Sequence, residues 1–309
     1  MANRVRISVV APPRVQEAPK PDQAAVDRMI AHWDAALKPV LCDEPDLILV
    51  PEVCDRYGGH DTAQAEAYYR VRGEQVQQHF SRVAVAAGCY VAYAAFRQRP
   101  AGTWRNSIVL LDRAGAPMGA YDKNHPTVPE LEDGEAPGRE APIFTCDFGR
   151  VACAICFDLN FEELLRTYTA AAPDLILFAS LFHGGPLQTH WAYTCRAHFA
   201  AAVAGLPSAI RNPTGQPVAT TTNYRHFVTA AVNLDCKLAH LDFNGEKLAA
   251  LKRTYGREVT IYDPGLLGSV LVSSENEHRT AAELFEEFAI EPLDAYLARS
   301  RAYQQAAAR

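Results

Sequence analysis

The amino-acid order predicts an α/β protein in which two β-sheets pack together with helices outside. Three observations carry that expectation. Apolar runs such as "PDLILVPE" and "DLILFAS" have the near-continuous hydrophobicity of strands buried on both faces. Helical segments alternate with such runs. Paired strand runs joined by turn signals interrupt the alternation, which a simple doubly wound sheet does not require.

"RVRISVVAPP" reads as a short strand ending in a proline turn, and "PDQAAVDRMIAHWDAALKPV" as a helix with apolar spacing at Val26, Ile30, Trp33 and Leu37. "PDLILVPE" follows as a strand, and one long helix is expected from Thr62 to Ala87. "CYVAYAAFRQR" is a further strand; "RNSIVLLDRAGAPMGAYDKNH" is two strands split at Arg113-Ala114-Gly115; "PIFTCDFGRVACAIC" repeats that hairpin pattern. "FEELLRTYTAAAP" reads as helix, "DLILFAS" as buried strand and "QTHWAYTCRAHFAAAVAG" as helix, with "LPSAIRNPTG" and "HFVTAAVNLDC" returning to strand. Residues 1–242 are expected to form the core, and 243–309 an appended extension with a helix near Glu246–Arg257, a strand "GSVLVSS" and a C-terminal helix.

Of the 309 residues, 49% are apolar and 21% charged, which fits a globular chain and not a disordered one. The net charge of −6 contains no block of one sign, so nucleic acid is not an expected partner. The apolar run in "MANRVRISVVAPP" is too short for a signal-peptide core, and no segment nears the ~20 apolar residues of a membrane span. A cytoplasmic protein with eight reduced cysteines is therefore expected.

Two of those cysteines stand in "CAICFDLNF" (Cys153–Phe161). A redox dithiol needs its C-x-x-C at a helix N-terminus, whereas Cys153 lies inside an apolar strand run. A zinc site needs further ligands, and no second C-x-x-C or H-x-x-x-H follows, so neither metal nor cofactor is expected. Cys156 alone reads as a buried core residue. Its position at a strand end, before the acidic helix start "FDLNFEELL", instead suits a nucleophile, because backbone N–H groups there can stabilise thiolate and oxyanion. Histidine is the usual base for such a thiol. His125, His183, His190 and His198 are available, but none stands in a papain-like or caspase-like signature.

Two further strand ends carry ionisable groups: Glu52 in "LILVPE" and Lys123 in "GAYDKNH". Three such residues at three apolar strand ends can converge on one crevice. In this order, with "RNSIVLLDRAG", Pro137-Gly138 and "GRVACAICFDLNFEELLR", the chain resembles the nitrilase superfamily of carbon–nitrogen hydrolases. The resemblance spans "ISVVAPP" through "HFVTAAVNLDC" and implies a four-layer α–β–β–α sandwich with a Glu-Lys-Cys triad. It makes Glu52 the general base, Lys123 the partner of the tetrahedral oxyanion and Cys156 the nucleophile. The Phe157 backbone N–H becomes the second oxyanion donor. A further active-site glutamate is expected shortly after the lysine, with Glu130 the best match and Glu132 and Glu135 as alternatives.

Phe157-Asp158 after the cysteine resembles the amidase and carbamoylase branch, whereas true nitrilases typically carry Trp-Glu there. An amide or carbamoyl small molecule is therefore the expected substrate, with nitrile hydrolysis or a catalytically silent binding role as alternatives. Asp158 is expected to support the loop. Carbamoylases of D-amino acids place an arginine three residues after the nucleophile; Leu159 stands there, followed by Asn160, which fits a neutral or partly apolar substrate unless an arginine reaches in from elsewhere. His183, followed by Gly184-Gly185, is a candidate binding residue, and His125 a structural support. "FEEL", "RAHF" and "NPTGQPVATTTNYRHF" depart from the family pattern, which makes the pocket atypical. The resemblance also implies a homodimer or larger homo-oligomer.

Overall fold

The computed structural model describes residues 1–99 and 102–308. The first half of the chain runs β1 (Arg4–Val10), α1 (Gln23–Leu41), β2 (Leu47–Leu49), α2 (Thr62–Arg72), α3 (Gln75–Ala87), β3 (Tyr90–Gln98), β4 (Trp104–Leu111), β5 (Pro117–Asp122) and a short α4 (Val128–Glu132). It continues through β6 (Phe144–Cys146), β7 (Gly149–Ile155), a 3₁₀ turn (Cys156–Asn160), α5 (Glu162–Ala171), β8 (Leu175–Ser180), α6 (Pro186–Cys195), β9 (His198–Val203), β10 (Ala209–Arg211), β11 (Pro217–Thr220) and β12 (Phe227–Asn233). The remainder holds β13 (Cys236–His240), α7 (Gly245–Tyr255), β14 (Val259–Tyr262), β15 (Ser269–Ser274), α8 (Ala281–Glu287) and α9 (Leu293–Ala307).

Two six-stranded sheets result, ordered β12-β1-β2-β3-β4-β5 and β11-β10-β9-β8-β7-β6. In each, parallel central strands (β1, β2 and β3; β7, β8 and β9) are flanked by antiparallel ones. The sheets face one another, β2 opposite β9, β3 opposite β8 and β4 opposite β7. All residues of β2, β8 and β9 are buried, as strands covered on both faces must be. Helix α1 covers the first sheet with Val26, Trp33 and Leu37, as its spacing predicts, and with Met29 in place of the expected Ile30, which is only partly buried against it. Its N-terminus is closed by the Asp22 carboxylate, which accepts from the Ala25 N–H at 3.2 Å. Helices α5 and α6 accompany the second sheet, α6 against β9. The architecture is thus the four-layer α–β–β–α sandwich expected from the sequence.

Two element assignments need correction. The helix expected over Thr62–Ala87 is two, because Gly73 adopts φ +49° and ends α2. The helix expected through "RAHFAAAVAG" stops at Cys195. Arg196 takes the left-handed conformation (φ +56°), and His198–Val203 becomes the buried strand β9, pairing in parallel with β8. An alanine-rich run reads as helix by propensity; burial within the second sheet, between the facing sheet and α6, overrides it.

The chain divides into two compact units, residues 5–231 and residues 1–4 with 232–309. The second has a three-stranded antiparallel sheet, β13-β15-β14, with its own core including Ala239, Leu251, Val259, Val272 and Leu284.

Candidate active site

Chain geometry sets the functional groups at strand ends. Glu52 follows β2, Lys123 follows β5, and Cys156 follows β7 at the first residue of the 3₁₀ turn. The crevice beyond the carboxyl ends of parallel strands is where such folds gather ligand-facing groups. Cys156 has φ +48°, a conformation that costs a non-glycine residue about 1–3 kcal/mol and turns the side chain out of the strand's alternation. Cys153, three residues earlier, is fully buried in β7, whereas Cys156 is partly exposed.

Lys123 is 1% exposed. Its Nζ donates to Glu52 Oε1 at 2.9 Å and to both Glu130 oxygens at 2.8 and 2.9 Å. Burial alone would discharge the ammonium, but Glu52, the Cys156 sulfur and Glu130 outweigh that and hold its pKa above the usual lysine range. Glu52 is also buried; Oε1 accepts from Asn106 Nδ2 at 2.8 Å and Oε2 from the Leu181 backbone N–H at 3.0 Å. The Leu181 bond comes from the loop after β8, so it ties the two sheets together at the site. Burial and the Glu52 charge push the Cys156 thiol up to about 12, with Lys123 and the Ser180 hydroxyl working in the opposite direction. The sequence leaves open whether lysine or carboxylates dominate; burial decides it, and the resting group is a thiol.

Glu130 occupies α4, where its Oε2 also accepts from the Thr127 N–H at 2.6 Å. That capping bond fixes the carboxylate beside Lys123. Glu132 is exposed. Glu135 is 6% exposed, and its oxygens lack well-formed hydrogen bonds. Burial and the nearby Glu130 push its carboxyl up to about 8, which Lys123 and the Asn106 backbone N–H offset only in part.

The turn after Cys156 is held by Asp158, which is fully buried. Its Oδ2 accepts from Tyr121 Oη at 2.7 Å and the Ile155 N–H at 2.8 Å, and its Oδ1 from the His125 backbone N–H at 2.9 Å. The His125 ring lies 3.0 Å from the same oxygen and stacks on Phe161 at 3.9 Å, so His125 braces the turn. Phe157 is partly exposed and packs edge-on against Phe161. Leu159 is buried, its carbonyl accepting from Trp191 Nε1 at 3.1 Å. Asn160 faces solvent and donates to the Phe157 carbonyl at 2.9 Å, an anchor for the turn. His183 Nδ1 accepts from the Gly185 N–H at 3.1 Å. Sequence reasoning passed over Asn106 and Ser180 as site residues, and named Glu135 only as an alternative to Glu130. Asn106 carried a usable signal, a lone amide at the head of the apolar run "SIVLL". Among the described residues no group of three or more His, Cys, Asp or Glu side chains is arranged to hold a metal ion.

Fold and site together define a four-layer α/β sandwich whose strand ends hold a thiol, an ammonium and a carboxylate, with a second carboxylate supplied by α4. The chain belongs to the carbon–nitrogen hydrolase family, whose model matches residues 14–236. It is 25% identical over 172 residues to human deaminated glutathione amidase, covering 49% of this chain and 50% of that protein. Bovine omega-amidase NIT2 is 24% identical over 197 residues, covering 56% of this chain and 71% of that one. The chain thus spans about half the length of the human relative it matches. An amidase from Nesterenkonia sp. superposes with a TM-score of 0.62 at 18% identity, covering 81% of this chain and 96% of that one. Saccharomyces cerevisiae Nit3, of the nitrilase superfamily, superposes with a TM-score of 0.62 at 16% identity, covering 82% and 95%. No helix among the described residues is long and apolar enough to cross a membrane.

Proposed function

We propose that this chain hydrolyses the C–N bond of a small amide or N-carbamoyl compound through a thioester on Cys156, with Glu52 as base and Lys123 as oxyanion partner. The observation that carries the reading is the buried ammonium of Lys123, held by Glu52 and Glu130 and coupled to the Cys156 sulfur. Glu52 takes the thiol proton as Sγ bonds to the carbonyl carbon. A thiol with a raised pKa needs such a base, because little thiolate exists at neutral pH. Lys123 Nζ and the Phe157 N–H then stabilise the tetrahedral oxyanion. Collapse breaks the C–N bond, and Glu52 returns its proton to the departing amine. A water deprotonated by Glu52 attacks the thioester, releasing the acid and restoring the thiol. Glu130 holds Lys123 in line throughout. A mutant of the Nesterenkonia amidase carries the acetamide moiety of fluoroacetamide covalently at its active-site cysteine, a nucleophilic role of the kind proposed for Cys156.

The working form is a homo-oligomer with residues 243–309 at its interface, and the enzyme is cytoplasmic. Intact-protein mass spectrometry after incubation with small amides, carbamoyl compounds and nitriles tests the chemistry. An acyl adduct present in the wild type and absent in Cys156→Ala is expected, with turnover in that variant reduced at least about a thousandfold. A variant that hydrolyses as fast as the wild type excludes Cys156 as nucleophile.

A further inference from the structure

Against Glu130 lies a pocket of about 320 Å³ whose wall is both acidic and aromatic. Glu66, Glu130, Asp133 and Glu135 bring four carboxyl groups to it, and Tyr69, Phe96 and Trp104 three rings. The rings adjoin: Tyr69 stacks on Phe96 with centroids 5.6 Å apart and leans on Trp104 at 5.3 Å. Two of the lining side chains have unmet bonding capacity. Glu135 is 6% exposed, and neither of its oxygens has a well-formed hydrogen bond; Tyr69 is 5% exposed, and its hydroxyl is buried without a partner among the described residues. An unmade buried hydrogen bond is costly, so both groups point to a ligand. Arg56, the one basic side chain on the wall, stands apart from the acidic end. Its guanidinium lies over the Phe96 ring at 5.9 Å and its charge acts on Arg14 and Tyr69, whereas the charges that act most on Glu135 are those of Glu130, Lys123 and Glu52.

The chemistry of the wall selects its occupant. Among the described residues the carboxyl groups do not converge as metal ligands, so a bare metal ion has no cage here. Aromatic faces attract organic cations and cover an alkyl stem. The Glu135 oxygens need N–H donors, which a quaternary ammonium lacks and a primary ammonium supplies three times over. We infer that this pocket binds a primary ammonium group on a short apolar stem. Its N–H groups donate to Glu135 and to the Tyr69 oxygen, its stem lies along Phe96 and Trp104, and Asp133 adds a negative charge at the exposed rim. The site does not depend on the reading of Cys156 as nucleophile, although Glu130 belongs both to this wall and to the Lys123 pair.

Binding is coupled to a proton. Burial and the Glu130 charge hold the Glu135 carboxyl at about 8, so it is neutral at pH 7. A cation beside it favours the carboxylate, while an alkylammonium with a lysine-like pKa of about 10.4 stays charged. Up to about one proton therefore leaves as the amine enters, and the release fades above about pH 8, where Glu135 is already ionised. The groups acting on Glu135 are Glu130 from α4, Lys123 after β5, Glu52 after β2 and the Asn106 N–H from β4; Asp133, Glu66 and Arg56 are the other charged side chains of the wall.

The test is calorimetric titration of the full chain at pH 7 with n-butylamine, 1-butanol, butyrate and tetramethylammonium, repeated in buffers of low and high ionisation enthalpy to count protons. n-Butylamine should bind at least about tenfold more tightly than each of the other three, the margin of one charge-assisted hydrogen bond, and should release close to one proton. Glu135→Gln, isosteric with the neutral acid, should weaken amine binding about tenfold and remove the proton release. Tyr69→Phe should weaken binding less and leave the release intact. Circular dichroism and thermal unfolding verify the fold of both variants; if Glu135→Gln fails to fold, Tyr69→Phe carries the comparison. No amine binding, binding no tighter than that of the alcohol or of tetramethylammonium, affinity unmoved in the folded variants, or wild-type binding without proton release each overturns the ammonium site. Those results leave the hydrolase reading standing, which Cys156→Ala tests separately.

Discussion

Lys123 and Glu135 are both buried ionisable groups, and their surroundings send them opposite ways. The desolvation of an ammonium costs several kcal/mol, and two carboxylates within 3 Å offset it, so Lys123 stays charged. Glu135 has no such partner and stays protonated, with a pKa of about 8 in place of 4.5. Between those values the folded chain binds a proton that the unfolded chain does not, so stability falls as pH rises from about 4.5 to about 8 and levels off beyond. Replacing Glu135 by Gln should flatten that part of the profile and raise stability at pH 8, which denaturant unfolding across the pH range would measure. An equal slope in the variant would mean that Glu135 is already ionised. At this scale the sequence brought forward Glu52, Lys123 and Cys156 but left three glutamates competing for a fourth position. Glu130 meets Lys123 because Thr127 caps α4 and fixes the carboxylate, a detail of a few dihedral angles that spacing along the chain does not encode.

Glycines set how the elements meet the site. Gly138 donates its N–H to the Lys123 carbonyl at 2.7 Å, and a Cβ there would collide with the Asp122 carbonyl. Rigid backbone cannot yield as a side-chain tip can, so Gly138→Ala should push the end of β5 and displace Lys123. A fall in kcat of at least about tenfold is expected, since sub-ångström misplacement of a catalytic group is enough for that. Steady-state kinetics with the best amide, beside a thermal melt, would separate this from global unfolding; unchanged kcat would mean that β5 absorbs the shift. Pro137-Gly138 was visible in the sequence as a motif, though not its steric reason. The two elements misjudged from sequence have different causes: Gly73 divides the helix expected over Thr62–Ala87, and strand pairing claims the run after Arg196. Residues 199–203 are apolar throughout, a pattern equally compatible with a buried helix and a buried strand, and the neighbouring strand β8 selects between them.

Across the whole molecule, each chain contributes 33.9 kDa. Light scattering should give at least twice that mass if the proposed homo-oligomer forms, and a monomeric mass would exclude it. The fold class was legible because it rests on local signals: strands buried on both faces must be apolar throughout, turns need glycine or proline, and helices repeat their apolar stripe every turn. The sequence by itself therefore determined the two sheets, their helical cover and the three strand ends bearing carboxylate, ammonium and thiol. Tertiary structure alone decided what those groups do to one another. The protonation of Cys156 and Glu135, the pairing of Lys123 with Glu130, and the meeting of Arg14 with Arg56 depend on burial and on distances between residues remote in the chain. Such quantities arise only when the sheets pack, because desolvation and Coulomb interactions are set by neighbours in space.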